Sequence, residues 1–484
     1  MPLVLGGSSV VAEPYSVDYS CRFDKASSAF LNLTFTTPTN GHIWNFSCWV
    51  KRTNLGTGTP LWNPLFCDAG SPDCRLYFRD DDWRFDGYHS GGSYAFQTTQ
   101  LFRDVSAWYH VCILWDDTQA TPDDRAKLFI NGTQVTAFAV DDPPDQDSQH
   151  SMNTAIEHFI GRIVASQYTD CYMAQVCFVD GTVYTVSDFG EFNSASPTIW
   201  QPKDVSELTF GNNGFLLDFA DSADLGNDVS GKGNDWASNG LDATDQATDT
   251  PTNNFCTLNP VATTSGLGVN LTFTQGNCKM VNTGGGLWEP TIGTLAAKGG
   301  KWYAEFKVTA LGGAHSYGIM DPSQYNDNIP LDNPAVISRA YGYSYSDGNA
   351  TNNSNSAPWG VLYTTGDIIS VAMDLDNMKL YCAKNGTWAD SGDPESGATG
   401  TGTHDYFGGA SNSARAAGTD YYTFMANIHN SSTNESNYGG CPAFTITAES
   451  GAGFQDENGY GKFEYEVPSG YYALCTKNLG EFGG

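Results

Sequence analysis

The sequence predicts an all-β protein made of two antiparallel β-sandwich (jelly-roll) domains behind an extended N-terminal arm. The chain has 484 residues, more than one hydrophobic core usually serves, so two to three domains are expected. Glycine (53), tyrosine (25) and phenylalanine (27) are abundant, whereas charged residues make up only 16%. Aromatic side chains fit a pleated sheet surface and glycine supplies the positive φ of tight turns, so this mixture favours strands over helices.

Short apolar runs bounded by turn residues predict the strands. Examples are Trp44–Arg52, Trp108–Trp115, Arg125–Gln134 and Tyr172–Asp180. In the third run apolar and polar residues alternate, which is the period of a half-buried strand. The second run is apolar on both faces and predicts a central strand covered on both sides. No segment of helical period exceeds two turns.

Residue-glycine pairs predict hairpins between these runs. Such pairs adopt the left-handed conformations that a two-residue hairpin loop requires. We therefore expect hairpin turns at four places: Asp86-Gly87, Asn131-Gly132, Asp180-Gly181 and Asn385-Gly386.

Composition divides the chain into segments. Residues 239–264 are polar and rich in threonine, aspartate and asparagine, which is typical of a domain boundary. The predicted organisation is an extended arm (1–18), a first sandwich (19–238), a linker (239–264), a second sandwich (265–478) and a tail (479–484).

The first sandwich resembles the concanavalin A-like, laminin-G-like jelly roll. The resemblance rests on five runs in order: SCRFDKASSAFLNLTF, FSCWVKR, SAWYHVCILWD, RAKLFINGTQV and HFIGR. In that family a strand with Trp-Tyr-His leads to a strand ending in Asn-Gly, matched here by Trp108–His110 and Asn131-Gly132. The family contains both lectin-like modules and glycosidases.

The second sandwich is similar to the SPRY domain. GKWYAEFKV (300–308), YGIMD (317–321) and YTTGDIISVAMDLDNMKLYCAKNGTW (363–388) fall where that family has its signature strands, and VPSGYYALCTKNL (467–479) matches its last strand. SPRY domains are recognition modules, so this resemblance implies binding and not catalysis.

Two such modules behind an MPLVLGG-type arm resemble structural proteins of marine bacteriophages. The resemblance implies a non-enzymatic virion surface protein (tail fibre, head fibre or capsid decoration) that binds host-surface glycan or neighbouring virion proteins. The arm lacks the basic start of a signal peptide and its apolar stretch is broken at residues 6–9. We expect it to anchor the protein to capsid or tail proteins through Pro2, Leu3, Val4 and Leu5.

The net charge and the cysteine pattern indicate which classes of partner are excluded and in which compartment the protein assembles. A formal charge of −31 repels nucleic acid and anionic bilayers. No run of 18 apolar residues exists, so no membrane insertion is expected. The 12 cysteines show no CxxC and no zinc spacing, which favours thiols in a reducing host cytoplasm and release by lysis. Such appendages are often trimers, whose multivalency strengthens weak sugar contacts.

Catalytic motifs are absent from the sequence. There is no E-x-D-x-x-E run, G-x-S-x-G elbow, H-E-x-x-H or P-loop, and His110 fits a core histidine better than a catalyst. The chain is therefore predicted not to be an enzyme. Two alternatives remain open: a polysaccharide depolymerase on the concanavalin-like fold, and a secreted bacterial lectin or adhesin.

Two sets of candidate site residues follow. Exposed rings beside polar groups suit sugars, and the candidates are Trp83, Tyr88, His89 and Trp359. Carboxylate oxygens are suitable ligands for Ca²⁺, although the same residues also make turns. The candidate ligands are Asp218, Asp221, Asp224, Asp228 and Asp235.

Overall fold

The computed structural model is nearly all-β, with 8% helix and several antiparallel sheets, which confirms the predicted all-β class; the predicted N-terminal arm is not shown. None of the described helices is long and apolar enough to cross a membrane. The predicted anchoring residues Pro2–Leu5 lie outside the described part of the chain. The structure describes residues 15–55, 61–71, 73–89, 92–148, 150–163, 167–262, 270–284, 288–324, 339–345, 347–352, 355–404 and 417–484.

The first sandwich contains twenty short strands. They are β1 (Ser20–Phe23), β2 (Phe30–Thr34), β3 (Ile43–Arg52), β4 (Trp62–Asp68), β5 (Arg75–Arg79), β6 (Asp82–His89), β7 (Gly92–Leu101), β8 (Trp108–Asp116), β9 (Ala126–Ile130), β10 (Thr133–Gln134), β11 (Phe138–Asp142), β12 (Glu157–Ile160), β13 (Arg162–Ile163), β14 (Gln167–Tyr168), β15 (Cys171–Asp180), β16 (Gly190–Phe192), β17 (Trp200–Pro202), β18 (Phe215–Leu217), β19 (Ala237–Asn239) and β20 (Gln246–Ala247).

Two eight-stranded antiparallel sheets form this sandwich. The docked sheet, which faces the second sandwich, has the order β10-β9-β8-β3-β15-β1-β20, with β18 beside β15. The open sheet has the order β11-β7-β6-β5-β4-β12-β2-β19. Between them lies an aromatic core in which Trp44 and Trp115 stack with centroids 5.4 Å apart. As predicted, β8 is a central strand: Val111 and Ile113 face this core, while Cys112 lies buried on the opposite face.

Turn chemistry explains which predicted hairpins form. Asn131-Gly132 joins β9 to β10 with φ of 46° and 73°, which confirms that prediction. The prediction at Asp86-Gly87 is wrong, because β6 runs straight through both residues. Gly87 is needed there for packing, since a Cβ would lie 2.5 Å from Cys74 Sγ and from the Tyr94 hydroxyl oxygen.

The second sandwich begins after residue 270 in the described chain. Its elements are β21 (Leu271–Thr274), β22 (Lys279–Asn282), β23 (Trp288–Ile292), β24 (Lys301–Ala310), β25 (His315–Met320), β26 (Ala340–Ser344), β27 (Asn349–Asn352), β28 (Asn355–Pro358), β29 (Ile368–Asp374), β30 (Lys379–Lys384), β31 (Thr387–Trp388), β32 (Thr423–His429), β33 (Thr433–Asn437), β34 (Tyr472–Ala473) and α1 (Thr476–Phe482). The turn between β30 and β31 is Asn385-Gly386, with φ of 47° and 75°, as predicted.

Its two sheets have the orders β21-β22-β33-β24-β29-β30-β31 and β23-β32-β25-β26-β27-β28, and β34 runs parallel to β24. The core between them contains Trp302, Phe306, Tyr317 and Phe424. The tail is part of α1, and its Phe482 ring stacks on Tyr472 at 4.0 Å. Short 3₁₀ turns complete the described elements of both sandwiches: Lys25–Ser27, Pro122–Asp124, Val186–Asp188, Ala243–Asp245, Pro322–Gln324, Ala389–Ser391, Pro394–Thr399 and Ala448–Gly451.

Residues 239–262 of the predicted linker are built into both sandwiches. β20 pairs with β1, and Asp249 is almost fully buried. Lys51 of the docked sheet donates to Asp249 Oδ2 at 2.7 Å and to Asn254 Oδ1 at 2.7 Å. Tyr172 donates across the interface to the carbonyl of Gly276 at 3.1 Å. The polar side chains that suggested a spacer therefore serve as internal hydrogen-bond partners.

Candidate functional site

Alternation along the open sheet directs one set of polar and aromatic side chains away from the core. Leu76 and Phe78 of β5 point inward, so their neighbours point outward. We call the resulting surface the open face. It consists of Trp62 (β4), Arg75, Tyr77 and Arg79 (β5), Asp82, Arg84, Asp86 and Tyr88 (β6), and Gln97 (β7).

Aromatic stacking gives the open face a rigid centre. The rings of Trp62 and Tyr77 stack with centroids 4.8 Å apart and planes 21° apart. Tyr77 is 2% exposed, whereas Trp62 is only half-buried, so the indole covers the phenol and keeps part of its own surface in solvent. The guanidinium carbons of Arg75 and Arg79 lie 5.6 Å and 4.9 Å from the Trp62 centroid, within cation–π range.

Ion pairs fix the polar groups beside these rings. Arg75 Nη2 lies 2.8 Å from Asp86 Oδ1, and the Tyr77 hydroxyl donates to the same carboxylate. Burial, and then the charge of Asp86, raise the pKa of Tyr77 well above its usual range. The pair therefore holds the phenol as a hydrogen-bond donor.

A second pair lies one step along the sheet. Arg84 donates to both oxygens of Asp82, at 2.5 Å and 3.1 Å, and Gln97 Nε2 donates to Asp82 Oδ2 at 2.9 Å. Side chains ordered in this way lose little conformational entropy when a ligand binds. The open face thus combines exposed ring surface with preset donors and acceptors.

The predicted glycan residues divide between surface and core. Tyr88 lies on the open face and is 45% exposed, so its ring is available to a ligand. The prediction that Trp83 binds glycan is wrong. Trp83 is fully buried, because the side chains of β6 alternate and residues 83 and 85 point into the core. His89 ends β6, but its side chain lies outside the described residues.

The prediction that Trp359 binds glycan is also wrong. It is 6% exposed, packs edge-on against Tyr343, and donates from Nε1 to the carbonyl of Gly402 at 2.9 Å. Its ring is therefore enclosed in the second sandwich and presents no face to a sugar. The residues that precede Trp359, 355–358, form β28.

The structure does not bring the five candidate metal ligands together. Asp218, Asp221 and Asp224 each accept from the backbone N–H two residues further on, at 3.0, 2.9 and 3.1 Å. Asp228 and Asp235 bond within their own loop, where Asp235 accepts from the backbone N–H of Asp228. Within the described ranges no group of three acidic, histidine or cysteine side chains is placed to bind a metal. These five aspartates therefore form hydrogen bonds that stabilise turns, and the structure does not support the predicted Ca²⁺ site.

Sequence reasoning missed an acidic cleft of about 810 Å³ on the second sandwich. It lies on the outer face of the sheet that contains β24, β29 and β30, with Trp388 and Tyr465 half-buried in its lining. No lysine or arginine occurs among its described lining residues. Four exposed carboxylates line it: Asp393, Glu395, Glu457 and Glu466.

The carboxylates of the cleft brace its walls. The Ser469 backbone N–H donates to Glu395 Oε1 at 3.0 Å, and the Ser469 hydroxyl donates to Glu457 Oε1 at 2.6 Å. The latter bond, and the N–H of Gly470, lower the pKa of Glu457. These groups therefore act as acceptors that tie the loop 393–395 to the segment 457–470.

Glu305 lies beneath the cleft and is fully buried. Burial raises the pKa of Glu305 to about 7, although four donors converge on its carboxylate. These are the backbone N–H groups of Glu464 and Tyr465, Asn437 Nδ2 and the Tyr303 hydroxyl. Both oxygens are engaged internally, so this carboxyl has no path to a substrate.

His110 is buried in the docked sheet, in agreement with its reading as a core histidine. Its Nε2 lies 2.8 Å from Ser47 Oγ, and Trp200 Nε1 donates to Nδ1 at 3.1 Å. Burial lowers the pKa of His110 to about 3.

Comparison with known proteins places the open face within a recognised module. Residues 27–183 match the Concanavalin A-like lectin/glucanases superfamily. The match confirms the predicted concanavalin A-like, laminin-G-like domain and includes every residue of the open face. No curated protein matches the chain.

Solved structures show SPRY and pentraxin domains among the similar folds. The SPRY domain of human HERC1 is 14% identical, covers 38% of this chain and 98% of that one, and has a TM-score of 0.28. A second human SPRY domain is 12% identical, covers 34% and 94%, and has a TM-score of 0.25. The heptameric SAP-like pentraxin from Limulus polyphemus is 13% identical, covers 36% and 81%, and has a TM-score of 0.27.

Proposed function

We propose that this chain is a non-enzymatic protein on the surface of a virus particle that binds host-surface glycan through the open face. The observation that carries this proposal is the joint presence of exposed rings and pre-ordered polar groups on one sheet surface. The exposed ring of Tyr88 and the part of Trp62 that remains in solvent offer apolar surface to sugar C–H groups. The fixed carboxylates, guanidinium groups and amide can bond hydroxyls. The match of residues 27–183 to a superfamily of lectins and glucanases supports a carbohydrate ligand.

The hydrogen bonds that the carboxylates accept favour binding without cleavage. Glycoside hydrolysis uses two carboxyl groups, one of which carries a proton with a raised pKa. On the open face Asp82 and Asp86 each accept hydrogen bonds from an arginine, an arrangement that orders the arginines. In the cleft of the second sandwich, Glu395 and Glu457 accept from Ser469.

The location on a virion rests on the resemblance of the paired modules and arm to phage structural proteins. All twelve cysteines are buried and unpaired, which supports assembly in a reducing cytoplasm followed by lysis. Capsid or tail proteins are the proposed partners of the arm, and neighbouring virion proteins are a further class of ligand for the sandwiches. We propose a trimer, in which three open faces would act together on a repeating glycan.

The test is binding of the full chain to purified host-surface polysaccharide. Trp62→Ala and Tyr88→Ala should each weaken binding about tenfold, since a lost ring contact costs about 1–1.5 kcal/mol. Tyr421→Ala is the matched control, because Tyr421 is 53% exposed but lies on the second sandwich. If all three variants bind alike, the open face is not the site. Release of reducing ends from the same polysaccharide would favour the depolymerase instead.

A deletion tests the attachment. Removing residues 1–14 should abolish incorporation into particles and leave glycan binding by the purified protein intact. Unchanged incorporation would show that the arm is not the anchor.

A further inference from the structure

Arg79 differs from the other arginines that the structure describes in this acidic protein. Seven other arginines bond carboxylates or backbone carbonyl oxygens: Arg22, Arg52, Arg75, Arg84, Arg103, Arg125 and Arg339. Within the described residues the Arg79 side chain has no hydrogen bond and no ion pair, and its Nε is shut off from water without an acceptor. Its guanidinium carbon lies 4.9 Å from the centroid of the Trp62 ring.

A shortage of carboxylates does not explain this exception. The chain contains 54 aspartates and glutamates against 23 lysines and arginines. Asp82 is the cross-strand neighbour of Arg79 in the register of β5 and β6. Its oxygens are taken by Arg84 and Gln97, however, and this leaves the Arg79 guanidinium free beside the ordered polar groups.

The position of this free guanidinium suits an anion. A planar guanidinium presents paired donors that match the two oxygens of a carboxylate or the oxygens of a sulfate ester. The guanidinium carbon lies 4.9 Å from the centroid of the Trp62 ring, and this cation–π contact restrains the side chain, so less freedom is lost on binding.

We propose that Arg79 binds a single acidic substituent, a carboxylate or a sulfate ester, on the glycan that occupies the open face. This inference rests on the proposed glycan-binding function and adds its ligand class. The net charge of −31 disfavours a densely charged polyanion, whereas a single substituent seated at Arg79 meets a local cation. Arg79 is thus the group that separates acidic sugars from neutral ones.

The experiment uses the full chain on an array in which each neutral oligosaccharide has a uronic-acid and a sulfate-ester counterpart. We expect at least tenfold stronger binding to one acidic series than to the neutral sugars, and the preferred series identifies the substituent. Arg79→Gln should remove this preference, so that acidic and neutral sugars bind alike. Arg79→Lys should recover only part of it, because a lysine cannot form the paired contact.

Two controls separate recognition from structure. Arg103→Gln removes an arginine that is paired with Asp81 and whose side chain is 64% exposed away from the open face, and it should keep the full preference. Arg79→Met should melt no lower than the wild type, since it removes an unsatisfied donor and keeps an apolar contact with Trp62.

Equal binding of acidic and neutral sugars by the wild type, or equal loss of both in Arg79→Gln, would overturn the role of Arg79 and leave the proposed function standing. If no sugar binding depends on Trp62 or Tyr88, the proposed function itself fails, and the role of Arg79 fails with it.

Discussion

The ion pair between Lys51 and Asp249 should stabilise the folded protein, and its removal should show whether the two sandwiches unfold together or separately. Both side chains are 1% exposed, and Nζ lies 2.7 Å from Oδ2. Trp108 Nε1 donates to the other carboxylate oxygen at 3.0 Å, and Lys51 also donates to the carbonyl of Phe255 at 3.1 Å. Lys51→Met would leave the Asp249 carboxylate buried without its counter-charge, which costs about 3–5 kcal/mol.

The melting temperature translates that cost into a measurable shift. The unfolding entropy of 484 residues is about 1 kcal/mol/K at the typical value per residue. If both sandwiches melt together, Lys51→Met should lower the midpoint by about 3–5 °C in a single transition. If they melt separately, each half has about half that entropy, so the affected transition should fall by about twice as much.

Calorimetry with matched variants decides the matter. Lys127→Met breaks the exposed pair with Asp124, whose side chains are 35% and 46% exposed, and should leave the melting temperature almost unchanged. Lys51→Met combined with Asp249→Asn should recover most of the loss, since no buried charge remains. The reasoning is refuted if Lys51→Met melts like Lys127→Met, or if the double variant is no more stable than the single one.

Three other expectations follow from buried groups. Glu305→Gln should destabilise the protein by about 1–3 kcal/mol, because an amide nitrogen would then face donors. Burial raises the pKa of Glu305 to about 7 from an ordinary 4.5, so its folded state keeps a proton that the unfolded state releases. The free energy of unfolding should therefore fall as pH rises from about 4.5 to 7, by up to about 3 kcal/mol. Denaturant titrations at several pH values should show that this free energy depends less steeply on pH in Glu305→Gln. A wild-type slope of the opposite sign, or an unchanged slope in the variant, would contradict this. All twelve thiols should react with a thiol reagent in denaturant without reductant and hardly at all in the native protein, and fewer than twelve would reveal disulfides. Gly87→Ala should cost about 1–3 kcal/mol through overpacking against Cys74 and Tyr94, whereas Gly480→Ala in α1, where a Cβ meets no atom within 4 Å, should cost nothing; equal midpoints would refute the packing argument.

Local pattern predicts strands well in this chain because each strand carries its own evidence. The period of two and the Asn131-Gly132 turn lie within a dozen residues, and the structure places β9 and β10 there. The failure at Asp86-Gly87 has a different origin. The same dipeptide serves a turn or a close approach, and only the neighbouring strand, which brings Tyr94 against Gly87, decides between them.

The candidate site was within partial reach of the sequence. Arg75, Tyr77 and Arg79 alternate with apolar residues, as do Asp82, Arg84 and Tyr88, so a polar face on each strand was visible. The prediction of Trp83 as an exposed ring overlooked this alternation, which directs residue 83 into the core. The pairing of β4, β5 and β6, which brings Trp62 to Arg79, is set by long-range packing and has no local signal. The same holds for the acidic cleft, whose walls come from segments some sixty residues apart.

The placement of the open face agrees with attachment at the other side of the molecule. The two sheets of a sandwich turn their outer surfaces in opposite directions. Part of the outer surface of the docked sheet is covered by the second sandwich, through Lys51 and Tyr172 among others, and part by residues 184–210 of its own domain. The described chain also begins on that side, where the Tyr15 hydroxyl accepts from Gln175 of β15 at 3.2 Å. A protein anchored through residues 1–14 would therefore turn the open face outward, whereas an arm leaving from the open face would have set anchoring and recognition in competition.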